Sequence, residues 1–171
     1  MRKHLFSVLS CLLIGYVGMQ CTPKEQTNIS TPEATAETSQ EINDLPSLNI
    51  VLTNGDAVSL REATRKVVLI FFNPDCDHCQ REAEQIKNRK QLFANHMVYF
   101  ISTESPESLI AFSKKYDLTD KNFVFAQADA AAVFESVGNL PSVPAIFIYN
   151  NKKLMKRFDG ETSLDVIQEF L

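Results

Sequence analysis

Phe71-Phe72-Asn73-Pro74-Asp75-Cys76-Asp77-His78-Cys79 is the stretch on which the fold turns. It closes a continuous β-branched and aromatic run, Val67 to Asn73 (VVLIFFN), and leads into a segment rich in helix formers, Glu82 to Lys87. A run that is apolar at nearly every position suits a strand buried on both faces, as in a parallel sheet. Pro74 turns the chain, so Cys76 falls at the start of the helix that follows. A cysteine there faces unsatisfied backbone N–H groups and the positive end of the helix dipole, and both favour thiolate over thiol. Cys79 lies one turn further in, within reach of a mixed disulfide formed on Cys76. The spacing predicts an exposed nucleophile at Cys76 and a shielded resolving thiol at Cys79.

Outward from this segment, strands and helices alternate. Leu48 to Leu52 and Ala57 to Leu60 read as a hairpin about Asn54-Gly55. Arg61 to Thr64 reads as a helical turn, Cys76 to Asn95 as a helix, and Met97 to Ser102 (MVYFIS) as a second buried strand. Pro106 to Tyr116 is expected to be a helix capped by Ser105, Phe123 to Ala126 a short strand, and Ala130 to Val137 a helix stopped by Gly138. Ala145 to Asn150 and Lys153 to Phe158 form a strand pair about Asn151-Lys152, and Ser163 to Leu171 a closing helix. This order predicts an α/β fold: a mixed sheet of four or five strands with helices on both faces.

The N-terminus follows a different logic. Arg2, Lys3 and His4 precede a nearly unbroken apolar or small run from Leu5 to Met19, which is short for a membrane span and reads as a signal peptide over 1–20. Cys21 stands where that run ends and resembles the lipidated cysteine of bacterial lipoproteins, although Gln20 replaces the usual small residue before it. The alternatives are ordinary cleavage, or an uncleaved anchor. Thr22 to Asn43 is rich in Thr, Ser, Glu, Gln and Pro, so 21–44 reads as a lipidated cysteine and disordered tether, and 45–171 as the folded domain. The expected location is the bacterial cell envelope, as a periplasm-facing lipoprotein.

Of four cysteines, Cys11 leaves with the signal peptide and Cys21 is consumed by lipid, so Cys76 and Cys79 remain. Their spacing closes too small a loop to staple a fold. A structural zinc site needs four ligands, and the chain has no second cysteine pair, so no metal and no cofactor is expected. His78, if protonated, favours a Cys76 thiolate and a more oxidising couple, whereas Asp75 and Asp77 oppose a thiolate. The sum of these effects is left open. Val143-Pro144, just before the Ala145 strand, is placed for a cis peptide that presents Val143 to a substrate strand. The net charge of −4 gives no electrostatic footprint for nucleic acid.

NGDAVSL, KVVLIFFNPDCDHC and VPAIFIYNNKKLMKRFDG, in that order, resemble the thioredoxin superfamily, in particular its membrane-tethered TlpA/ResA-like, redoxin/AhpC-TSA-type branch. The resemblance implies a thioredoxin-like fold with an N-terminal β-hairpin and an extra αβ insertion between the CxxC helix and Pro144. It also implies roles for Cys76 as nucleophile, Cys79 as resolving cysteine and Pro144 as cis-proline. The buried acid that thioredoxin carries beneath the pair has no counterpart in Val68 to Phe72, and neither Glu82 nor Glu84 is expected to replace it. The expected activity is that of a thiol–disulfide oxidoreductase, a reductase or isomerase of protein disulfides. Its partners would be envelope protein thiols and an upstream membrane or periplasmic electron donor, and the expected state is a monomer. A peroxiredoxin-like peroxidase is the alternative within the fold, although Asn73 stands where such enzymes have Thr. A non-enzymatic copper- or thiol-handling module is the alternative outside catalysis.

Overall fold

A computed structural model describes residues 42–171. The signal-peptide segment, Cys21 and all but the last three residues of the tether lie outside the described residues. Among those described, no helix is long and apolar enough to cross a membrane.

The elements are β1 (Asn49–Leu52), β2 (Ala57–Ser59), β3 (Lys66–Phe71), α1 (Asp77–Asn88), β4 (His96–Ser102), α2 (Pro106–Lys115), β5 (Phe123–Gln127), α3 (Ala130–Val137), β6 (Ala145–Asn150), β7 (Lys153–Asp159) and α4 (Leu164–Ile167). The sheet has seven strands in the order β2-β1-β5-β4-β3-β6-β7, not four or five. The hairpin accounts for the difference. Its strand β1 adds antiparallel to β5, pairing Val51 with Gln127 and Leu52 with Ala126, so the insertion supplies the edge on which the hairpin docks. At the centre, β3 runs parallel to β4 and antiparallel to β6.

Because side chains alternate across a strand, β3 serves two cores at once. Val68, Ile70 and Phe72 face α1, α2 and α4, where they meet Ala83, Ile86, Leu109, Phe112, Leu164 and Ile167. Val67, Leu69 and Phe71 face the other side, with Leu45, Leu48, Leu60 and the partly buried Val133 and Val137 of α3. Phe72 is the last core residue before the cysteines. Its ring lies 5.5 Å from Phe100, 4.8 Å from Phe112 and 6.1 Å from Phe125, so an aromatic cluster anchors the strand just where it turns.

Local chemistry sets the ends. Ser105 Oγ accepts the Ser108 N–H, and Pro106 opens α2. Asp129 caps α3 by accepting the Ala132 N–H at 3.0 Å. The β6–β7 turn places Asn151 and Lys152 at φ of 48° and 65°, the left-handed geometry that two-residue hairpins favour. Helix α1 is shorter than expected. Arg89, at φ −136°, breaks it after Asn88, and Lys90–Phe93 continues as a 3-10 turn. The closing helix likewise tightens to a 3-10 turn after Ile167. Asp44 joins the fold at the far edge: its N–H donates to the Lys152 carbonyl, and its carboxylate accepts the Leu154 N–H at 2.9 Å.

Candidate active site

The site begins with the loop between β3 and α1. Asn73 Oδ1 accepts the Asp75 N–H at 2.8 Å, while Asn73 Nδ2 donates to Glu104 at 3.2 Å. Pro74 is buried, and its carbonyl accepts from Gln80 Nε2 at 2.9 Å. These contacts fix the turn that delivers Cys76 to the N-cap of α1, where its own carbonyl accepts the Gln80 N–H. Cys76 is half-buried and Cys79 is 3% exposed; both are free thiols. The Val143–Pro144 peptide is cis, and the Cys76 thiol lies 3.8 Å from the Val143 carbonyl. The fold therefore brings together two segments 67 residues apart in sequence. Asp75, Asp77 and His78 are exposed on the first turn of the helix and the loop before it.

The two sulfurs differ sharply in environment. Burial pushes the Cys79 thiol up to about 12, with the neighbouring Cys76 and Glu82 adding to the rise and the Asn73 backbone opposing it. A sulfur so placed keeps its proton until a nearby group takes it.

Glu82 corrects the sequence reading. Its side chain is 1% exposed, and it is the carboxylate whose charge bears on Cys79. Glu82 Oε2 accepts the Thr162 N–H at 2.8 Å, while Oε1 has no partner. Burial raises its carboxyl to about 7, against the Thr162 hydrogen bond that lowers it. The signal was present in the sequence: Cys79, Glu82, Ala83 and Ile86 recur at the spacing of one helix face. A charged residue on that face is easily taken for a solvated one, because Glu is rarely fully buried. Glu84 is exposed and pairs with Lys87, as expected for the outer face.

Arg81 and Glu161 were also missed. Arg81 Nε and Nη2 donate to the Glu161 carboxylate at 2.9 and 2.7 Å, and Glu161 Oε2 lies 3.0 Å from His78 Nδ1. No local pattern links positions 80 residues apart, so only the fold reveals this pair. A cavity of about 260 Å³ opens beside Val143, lined by Phe72, Asn73, Thr103, Val133 and Leu140. Larger hollows lie elsewhere, under the β2 turn and along β1, and contain neither cysteine nor the cis-proline. Among the described residues, no cluster of three or more His, Cys, Asp or Glu side chains could hold a metal ion.

A parallel β3–β4–β5 core, a cysteine pair at the start of α1 and a facing cis-proline define a thioredoxin-like fold. Residues 42–157 match the AhpC/TSA family, and the chain belongs to that family and to the oxidoreductases of the thioredoxin superfamily. Solved structures agree on the fold. A secreted Mycobacterium tuberculosis disulfide oxidoreductase, homologous to Escherichia coli DsbE, superposes with a TM-score of 0.61 at 19% identity, over 72% of this chain and 92% of its own. StoA from Bacillus subtilis gives 0.57 at 16% identity, over 74% and 98%. A thiol-disulfide oxidoreductase from Bacteroides fragilis gives 0.59 at 18% identity, over 74% and 98%. A comparison with curated proteins finds no match.

Proposed function

We propose that this protein exchanges disulfides with other proteins of the cell envelope, using Cys76 as nucleophile and Cys79 as resolving thiol. The observation that carries the reading is the unequal pair: a half-exposed sulfur at the helix N-cap, against the Val143 carbonyl, with a buried, proton-retaining sulfur one turn below. In the reducing direction the Cys76 thiolate attacks one sulfur of a substrate disulfide. A Cys76–substrate S–S bond forms and one substrate thiolate leaves. Cys79 then gives its proton to Glu82 and attacks the Cys76 sulfur, forming the Cys76–Cys79 disulfide and releasing the second substrate thiolate. Two electrons pass to the substrate, and an upstream dithiol restores the pair by the reverse exchange.

Val143 and Pro144 would hold the substrate backbone next to Cys76, and the apolar cavity beside Val143 suits a side chain of the bound peptide. The Leu5 to Met19 run and Cys21 support export and lipid anchoring over a tether to residue 44. The solved secreted disulfide oxidoreductase of M. tuberculosis offers a parallel for work outside the cytoplasm. A peroxidase would need a hydroxyl at position 73. Asn73 instead spends its side chain on the Asp75 N–H and Glu104, which favours disulfide exchange over peroxide chemistry.

The test is trapping. Cys79→Ala should hold substrate proteins on Cys76 as mixed disulfides seen on non-reducing gels, and Cys76→Ala should hold few or none. Equal trapping by both variants, or none by Cys79→Ala, sinks the assignment. Cys21→Ser should move the protein from the membrane to the soluble fraction, or leave it unprocessed. Wild-type processing and fractionation would refute the anchor alone.

A further inference from the structure

The two ends of the central strands carry opposite charge. Lys66 opens β3 beside His96 of β4. One step along, Val67 pairs with Tyr149, so the β6–β7 turn and Lys153 lie at the same end. Lys121 is there too, just before β5, since the Asn122 carbonyl accepts the Val98 N–H. Helix α2 links the parallel strands β4 and β5, so it runs back toward this end and brings Lys114 and Lys115 in its last turn. Arg65, Lys66, Lys114, Lys115, Lys121 and Lys153 form no ion pair among the described residues. The carboxylates at this end are fewer and engaged. Asp117 and Asp120 hold Lys90 at 2.8 and 3.2 Å, Asp44 accepts the Leu154 N–H, and Asp56 binds Asn54. At the opposite end, around the cysteine loop, stand Asp75, Asp77, Glu104 and Glu107, while Arg81 is already bound to Glu161.

The chain also enters the domain at the cationic end. The Asp44 N–H donates to the Lys152 carbonyl in the β6–β7 turn. Three apolar side chains are exposed close by: Ile42 at 59%, Leu154 at 37% and Met155 at 46%.

We propose that this end of the domain docks on a bilayer containing anionic phospholipid, and that docking turns Cys76 away from the membrane. The proposal rests on the reading of Cys21 as a lipid anchor. With a net charge of −4, the chain as a whole has no attraction to an anionic surface. The anchor supplies proximity, and the separation of charge supplies orientation. Residues 22–41 span at most about 70 Å when extended, so the connection alone leaves the domain free to turn. Attraction to the lipid charge fades within a Debye length of about 8 Å. Strand β3 is roughly 20 Å long, so the cationic end feels that field and the acidic end, when turned away, escapes its repulsion. Ile42, Leu154 and Met155 suit the boundary between headgroups and acyl chains. In this pose the Cys76 sulfur faces proteins in the aqueous space.

The experiment reconstitutes the full lipidated chain in vesicles of phosphatidylcholine, with or without phosphatidylglycerol, and acylates lysines briefly before mass spectrometry. Phosphatidylglycerol should lower acylation of Lys115, Lys121 and Lys153 several-fold, high salt should restore it, and Cys76 should alkylate equally in both vesicles. In the variant combining Lys66→Gln, Lys121→Gln and Lys153→Gln, the fall at Lys115 should largely disappear. Equal acylation in both vesicles, an undiminished fall at Lys115 in the variant, or protection of Cys76 instead overturns the docking and leaves the anchor standing. Equal shielding of these lysines in detergent without phospholipid also overturns it, and assigns the cationic end to the acidic segment before Ile42. A chain that stays with neither vesicle overturns the anchor and the docking together.

Discussion

Glu82 concentrates the electrostatic tension of the site in one side chain. It is almost fully buried, has one oxygen unpartnered, and binds its proton up to about pH 7 instead of 4.5. The folded state therefore holds a proton that the unfolded chain releases between those values. Stability should fall as pH rises from about 4.5 to 7 and level off above, by at most roughly 3 kcal/mol from this group. Glu82→Gln keeps the shape and removes the titration. Urea unfolding at pH 5 and pH 8 should then show a much smaller difference than in wild type, and an unchanged difference would assign the pH dependence elsewhere. If Glu82 takes the Cys79 proton as proposed, the variant should also accumulate mixed disulfide on Cys76. At this scale the sequence was legible in placement: Cys76 at the start of α1, Cys79 buried one turn on, and the cis peptide before Pro144. It was silent where a contact depends on chain reversal, as with Glu161 and His78. It misled at Glu82, because a helix-face pattern was outweighed by the usual solvation of glutamate.

Among the elements, α3 depends most on its ends. None of its residues is fully buried, and Phe134 is 64% exposed, so little packing holds it. The Asp129 carboxylate satisfies an otherwise orphaned N–H at its start and favours the positive end of its dipole. Asp129→Ala should cost about 1 kcal/mol, read as a lower urea midpoint at constant m-value. An unchanged midpoint would mean that the partly buried Ala132, Val133 and Val137 alone suffice to hold the helix. Strands were the most legible elements, because buried β-strands are continuous apolar runs bounded by turn residues. Helix ends were less so. Nothing in Asn88-Arg89-Lys90 forbids helix, and the break comes from packing: Phe93 enters the core while Arg89 turns out to Asp165 and Gln168.

For the whole molecule, the sheet's width was the least legible property. Local pattern identifies strands, whereas their order depends on which edges meet. The hairpin beyond Asn54-Gly55 reads equally well as a free flap or as part of the sheet, and only its register with β5 decides between them. A seven-stranded sheet still has two flanks, and an open flank of backbone N–H and C=O groups invites a strand from another copy. One flank is β2, three residues long. The other is β7, where the Leu154 N–H is occupied by Asp44 and the strand carries Lys153, Lys156 and Arg157. Two copies joined edge to edge through β7, about a two-fold axis perpendicular to the strand, would have to displace the aspartate and bring those cations together. Growth of the sheet from molecule to molecule, the first step toward a fibre, is opposed at this flank by the Asp44 carboxylate together with those cations.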